Sequence, residues 1–186
     1  MTPSDAVDPR VIRTRHDVPT VALRLLIDEG WEAVTPARVA AEAGYSRATV
    51  YAHWPERTDL IRDAFAQYGG MPHHTPSGDT DLDLRGELES FCRAMVEHRL
   101  DRALATLAER AQTNPEIAPV RDRFVADGER PMRQTLPALA RGPDAEAALL
   151  MLCGMVTHSV LMHGRAPTGE VLDAAVAIVV SGLGSR

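Results

Sequence analysis

A single glycine, Gly44, separates two short helix-forming runs in Thr35–Leu60, TPARVAAEAGYSRATVYAHWPERTDL, and this arrangement restricts the chain more than any other feature. Thr35 followed by Pro36 at the first helical position is a helix start, and Gly44 after Ala43 supplies the left-handed residue that ends the helix. The pattern therefore predicts one helix over Thr35–Ala43. Tyr45 and Ser46 make the turn, Ser46 caps a second helix from Arg47 to about Trp54, and Pro55 closes it. Val39, Ala40, Ala43, Val50 and Trp54 recur at helical spacing, and the alanines are small enough to let two helices cross closely. Arg47, Thr49, Tyr51 and His53 are left pointing outward on the second helix, with Arg57 just beyond.

A short exposed helix bearing Arg, Thr, Tyr and His, braced across a glycine turn, has the size and chemistry to enter a DNA major groove. An arginine there can donate twice to a guanine edge, while Thr, Tyr, His and Arg hold phosphates and fix the register. The same spacing also suits an ordinary helical hairpin with a solvated polar face. Beyond spacing, the run of Val34, Thr35, Val39-Ala40-Ala41-Glu42-Ala43-Gly44-Tyr45-Ser46, Thr49-Val50-Tyr51, His53-Trp54 and Leu60 resembles the DNA-binding domain of the TetR family of bacterial transcription regulators. The resemblance implies a supporting helix at Thr35–Ala43, a turn at Gly44, Tyr45 and Ser46, and a recognition helix at Arg47–Trp54. It sets Arg47 and Ala48 at the family's base-reading positions, and Thr35, Thr49, Tyr51, His53 and Arg57 at positions that meet the phosphate backbone. The family usually carries Lys where this chain has Arg57, a change that keeps the charge.

The formal net charge of −6 runs against nucleic-acid binding, because affinity for DNA comes largely from neutralising phosphates. Residues 1–70 hold 8 Arg against 10 Asp plus Glu, so the DNA-binding region itself is not basic. Local arrangement has to supply the positive field: Arg10, Arg13 and Arg15 cluster before the first expected helix, and Arg47 and Arg57 flank the recognition element. Specific binding with modest non-specific affinity follows. The two cysteines, Cys92 and Cys153, lie in apolar helical patterns, which suits a reduced protein without a disulfide framework. The N-terminus lacks the apolar run of a signal peptide, and the apolar stretch Ala174–Leu183 covers about half a membrane span. A cytoplasmic protein with no membrane partner is expected.

Along the chain, Met1–Pro9 reads as disordered and Arg10–His16 as a basic arm, solvated or reaching DNA. Asp17 then caps a helix with Pro19 in its first turn, and Val21, Leu25, Leu26 and Ile27 line its apolar face as far as Gly30. A further helix runs from Glu56 to about Tyr68. The expected division is a helix-turn-helix domain over 10–68, a linker over 69–81 rich in Gly and Pro, and an effector-binding and dimerisation domain over 82–186. His73 and His74 in the linker have no acid or thiol close in sequence, so no metal site is expected there. Helical spacing continues through Leu84, Leu88, Phe91 and Met95, then Leu104, Leu107, Ala108 and Ala111, then Ile117, Val120, Phe124 and Val125. That last face is interrupted near Gly128 and Pro131 before Met132, Leu136 and Leu139.

The last two helices, Asp144–His163 and Thr168–Leu183, are apolar on nearly every side and need covering on two faces. One face meets the C-terminal core and the other a second copy, giving a homodimer that presents two recognition helices to a pseudo-palindromic operator. Met151, Met155, His158 and Met162 share a helical face; flexible core packing or an organic-ligand pocket accounts for them more simply than Cu(I). A pocket for a small apolar effector is expected to draw on Phe91, Met95, Leu107, Phe124, Met155 and His158. No cofactor is implied, and no phosphate loop, HExxH or Gly-x-Ser-x-Gly motif points to catalysis. The chain thus reads as an all-α, ligand-responsive repressor. An activator with the same contacts, or a helical ligand-binding or enzymatic protein with a vestigial helix-turn-helix, are the alternatives.

Overall fold

A computed structural model describes residues 9–68 and 72–184. Among the described residues the regular elements are all helical, as expected. They are α1 (Pro9–Glu29), α2 (Pro36–Ala43), α3 (Arg47–His53), α4 (Arg57–Gln67), α5 (Thr80–Glu97), α6 (Leu100–Thr113), α7 (Ala118–Thr135), α8 (Pro143–His163) and α9 (Gly169–Gly184), with single 3-10 turns at Trp31–Ala33 and Leu136–Ala138. The chain divides into two compact units, Met1–Gly69 with Ala105–Phe124, and Gly70–Leu104 with Val125–Arg186. Helices α6 and α7 therefore each run from one unit into the other. Helix α5 opens at Thr80, inside the stretch expected to be linker.

The first helix departs most from expectation. Arg10–His16 is not an arm, and Asp17 and Pro19 do not start a helix: all lie within α1, which begins at Pro9. The predicted disorder of residues 1–8 lies outside the described residues. A proline inside a helix costs about 3 kcal/mol, because it lacks an N–H and crowds the carbonyl four residues back. Two features of this helix offset that cost. Val18, Ala22, Leu25 and Leu26 are buried, and a fully buried aliphatic side chain of that kind contributes roughly 1.5–3 kcal/mol. The carbonyl that Pro19 leaves without a helical donor, that of Arg15, accepts a hydrogen bond from the Gln67 side-chain amide of α4. Val39, Ala40, Val50, Trp54, Leu60 and Ile61 complete the core of this unit, and Phe124 meets Phe65 and Tyr68 edge-on at centroid distances of 5.0 and 5.3 Å.

In the second unit α5 packs on α8 and α9. The buried faces carry Leu84, Leu88 and Met95 on α5, Leu149, Leu152 and Val156 on α8, and Leu172, Val176 and Val179 on α9. Helix α7 does not break at Gly128 or Pro131 but runs to Thr135, whose Oγ donates to the Pro131 carbonyl at 3.1 Å; the buried Met132 and Leu136 hold the proline turn in place. Away from the core, α8 and α9 leave large apolar side chains uncovered: Leu150 and Met151 are each 58% exposed, Met162 66% and Ile178 64%. Helix α8 is also long and apolar enough to cross a bilayer, a length that the shorter Ala174–Leu183 stretch did not suggest.

The segment before α5 is tied down by two buried carboxylates of that helix. Asp83 accepts from the Ser77 N–H and hydroxyl, both at 2.7 Å, and from the Gly78 N–H at 3.1 Å. The bonds from the Ser77 backbone and hydroxyl hold its carboxyl below the usual carboxylate range. Glu87 accepts from the His74 N–H at 2.7 Å and lies 3.0 Å from the His73 ring. So acids do reach these histidines, from one turn apart on α5 rather than from nearby in sequence. No cluster of His, Cys, Asp and Glu among the described residues is arranged to hold a metal.

Candidate nucleic-acid interface

Helices α2 and α3 form where their local signals put them. The Thr35 hydroxyl accepts from the Arg38 N–H at 3.2 Å with Pro36 in the first turn, and Gly44 ends α2 at φ +74°. Only glycine adopts that left-handed geometry without penalty, and it turns the chain into the next helix. The Ser46 hydroxyl caps α3 by accepting from the Thr49 N–H at 3.1 Å. The turn is tied to α1 by the Tyr45 hydroxyl, which donates to Asp17 at 2.9 Å. His16 and Tyr45 together hold the Asp17 carboxyl below its ordinary range, and Asp17 in turn pushes the Tyr45 hydroxyl up. At its far end α3 is pinned by Trp54, whose buried indole donates to Asp63 at 2.7 Å.

This bracing fixes what α3 presents to solvent. Arg47, Ala48, Tyr51 and Ala52 are exposed, at positions that share one helical face, and His53 is exposed beside the Trp54 ring at 5.5 Å. Arg47 makes no ion pair among the described residues. By contrast, Arg24 pairs with Glu42 at 2.8 Å, Arg38 with both oxygens of Glu29 at 2.7 Å, and Arg57 with Glu32 at 3.0 Å. Of these four arginines, the one aligned with base reading is the one without an ion pair among the described residues.

The residues expected at phosphates fall into two groups. Tyr51 and His53 project freely, whereas Thr35 is spent on its cap, Thr49 shares a 2.8 Å contact with the Ser46 hydroxyl, and Arg57 is held internally. Arg57 also lies over the Trp31 ring, 5.7 Å from its centroid, and Arg110 of α6 lies over the same ring at 5.2 Å. Sequence reasoning, which places Trp31 as a cap on the small helical core, missed Glu32 and Arg110 beside it, because residues from three separate elements meet here and no local spacing announces them.

Of the six residues expected around an effector, Leu107 and Phe124 lie in the first unit, and Phe91, Met95, Met155 and His158 in the second. Phe124 packs against Phe65 and Tyr68, Leu107 and Met95 are fully buried, Phe91 and Met155 are half-buried, and His158 is exposed, its ring 5.1 Å from that of His163. A cavity of about 320 Å³ in the second unit is lined by His74, Thr80, Asp83, Glu87, Gln134 and Thr135, with Pro76, Pro131 and Ala138. Its polar lining includes the two carboxylates that anchor the segment before α5.

Comparison with known proteins places these elements. Residues 20–64 match the bacterial regulatory proteins of the tetR family, and residues 75–179 match the tetracyclin repressor-like C-terminal domain. An HTH-type transcriptional regulator of Mycobacterium tuberculosis, Rv1556, is 31% identical over 170 residues, covering 86% of this chain and 82% of its own. Among solved structures, the TetR family transcription regulator SCO0332 superposes with a TM-score of 0.66 at 24% identity over 91% of this chain and 98% of its own. The multidrug binding protein EbrR complexed with proflavin gives 0.66 at 21% identity, over 89% and 98%. With matches to both of its halves and a relative this similar along most of its length, the chain belongs to the TetR family and is a helix-turn-helix transcriptional regulator.

Proposed function

We propose that this regulator is a repressor that binds a pseudo-palindromic operator as a homodimer and releases it when a small organic effector occupies the second unit. The observation that carries the DNA part is the exposed Arg47 at the start of a rigidly braced α3, without an ion pair among the described residues, whereas Arg24, Arg38 and Arg57 are each paired. Arg47 and Ala48 read base edges, and Tyr51, His53, Thr49, Thr35 and Arg57 hold phosphates. The uncovered Leu150, Met151, Met162 and Ile178 support pairing of α8 and α9 with a second copy. A dimer is what sets two recognition helices one DNA turn apart, so a small change in their spacing weakens both half-sites.

The proflavin bound by EbrR supports a small-molecule site in this fold, and the cavity between α5 and α7 offers one place for it. The test is fluorescence anisotropy of the full-length protein with duplexes from the DNA flanking its own gene. Tight, salt-sensitive binding to one duplex supports the reading. Arg47→Ala is expected to lower the ratio of operator to scrambled-DNA affinity by about ten- to a hundredfold. An unchanged ratio would remove Arg47 from base reading.

A further inference from the structure

Glu32, in the turn after α1, faces two guanidinium groups at once. Its Oε2 lies 3.0 Å from Arg57 Nη1 at the start of α4, and its Oε1 lies 3.6 Å from Arg110 Nη2 near the end of α6. Both cations also lie over the Trp31 ring, within the range at which the face of an indole attracts a positive charge. Two like charges beside one ring repel each other, and the carboxylate between them is what holds the group together. Arg110 has a second acidic neighbour, Glu109, at 3.9 Å from its Nε. Glu32 itself is largely exposed, so its hold on either arginine is modest and open to competition.

A DNA phosphate offers Arg57 the same chemistry as Glu32: anionic oxygens that accept charge-assisted hydrogen bonds. Arg57 therefore has two alternative partners. How readily it leaves Glu32 depends on what else neutralises that carboxylate, and Arg110 is the group in place to do so. With Arg110 present, Glu32 keeps a counterion after Arg57 departs. Without it, Arg57 is the only cation the cluster offers, and its transfer to DNA strands a lone carboxylate beside the phosphates.

We propose that Glu32 is an internal stand-in for a DNA phosphate that holds Arg57 away from the backbone, and that Arg110 is the positioning residue that loosens this hold. The proposal rests on Arg57 being a phosphate contact. It also gives α6 a direct chemical handle on DNA affinity, since that helix begins in the effector-binding half at Leu100 and carries Arg110 in its last turn.

The test is operator binding by the full-length protein across a salt series, with Glu32→Gln, Arg110→Gln, Arg57→Gln and their pairs, each checked for an unchanged far-ultraviolet spectrum. Glu32→Gln is expected to tighten binding about three- to tenfold and to steepen the salt dependence by about 0.9 for each Arg57 that gains a phosphate. Arg110→Gln is expected to weaken binding by a similar factor, with most of that loss disappearing when Glu32 is already Gln. The gain from Glu32→Gln must also vanish in the Arg57→Gln background. If it persists there, Glu32 merely repels DNA and the proposal is overturned. An Arg110→Gln loss that is equally large with and without Glu32 overturns the role of Arg110. If Arg57→Gln alone changes neither affinity nor salt slope, Arg57 is not a phosphate contact and this inference falls with it. Arg47→Ala, run alongside, reports on the regulator reading separately.

Discussion

Gln67 of α4 donates its side-chain amide to the backbone carbonyl of Arg15 in α1, the carbonyl that Pro19 deprives of its helical partner. The bond joins the first and last helices of the N-terminal segment and repairs the break a proline makes. Gln67→Ala is expected to destabilise the protein by about 1 kcal/mol, lowering the melting temperature by roughly 2–4 °C. In a Pro19→Ala background, where the residue 19 N–H can reach the same carbonyl, the effect of Gln67→Ala should shrink to within error. Thermal melts of the four chains decide the matter, and equal losses in both backgrounds would rule out the coupling.

Asp83 supplies a pH-dependent anchor for the segment before α5. Its carboxyl is held below its ordinary value, so its contribution is fully present above the unfolded-state value and is lost as pH falls through the folded one. Asp83→Asn is expected to lower stability by an amount that is constant above about pH 5 and closes toward zero in stronger acid. Urea denaturation midpoints measured between neutral and acidic pH give the curve. A difference that widens in acid would contradict the assignment.

Burial pushes the Cys153 thiol up to about 12, and its Sγ rests 3.8 Å from the Met132 sulfur. Burial also raises the Cys92 thiol. Since the thiolate is the reactive form, both should resist alkylation by iodoacetamide at pH 8 in the folded protein and react fully in denaturant. Mass spectrometry of each peptide reads this out. Fast labelling of either cysteine in the native protein would point to a reactive thiol.

Met162 and Ile178 extend into solvent from α8 and α9 with 66% and 64% of their surface exposed. Ile178→Glu and Met162→Asp should leave the fold of each chain intact while halving the mass in solution. Operator affinity should then fall by about tenfold or more, because each half-site is bound alone. Light scattering coupled to gel filtration gives the mass. A dimer that survives both changes would place the interface elsewhere.

The helix-turn-helix was legible because its determinants are local. Thr35, Pro36, Gly44 and Ser46 each act within four residues of their own position, and all four do in the structure what their chemistry suggested. The start of α1 was misread for the opposite reason. Asp17 and Pro19 look like a helix start, and their compensations, Tyr45 and Gln67, lie far along the chain. The same holds at His73 and His74, whose carboxylates arrive from α5, and at Arg57, whose restraint comes from Glu32 and Arg110. The exposed apolar faces of α8 and α9 were foreseen from their all-round apolarity, since composition alone signals a helix with more greasy surface than one core can cover.

The segment Ala105–Phe124 belongs to the N-terminal unit although it follows the Gly- and Pro-rich stretch. Scissors applied at that stretch would cut away Phe124 and leave the rings of Phe65 and Tyr68 bare. A hybrid regulator made by grafting a foreign sensor after residue 70 would then carry a DNA reader missing part of its own scaffold. A graft that moves Ala105–Phe124 together with the reader keeps that scaffold whole, because the two units are written as interleaved text rather than as two separable words.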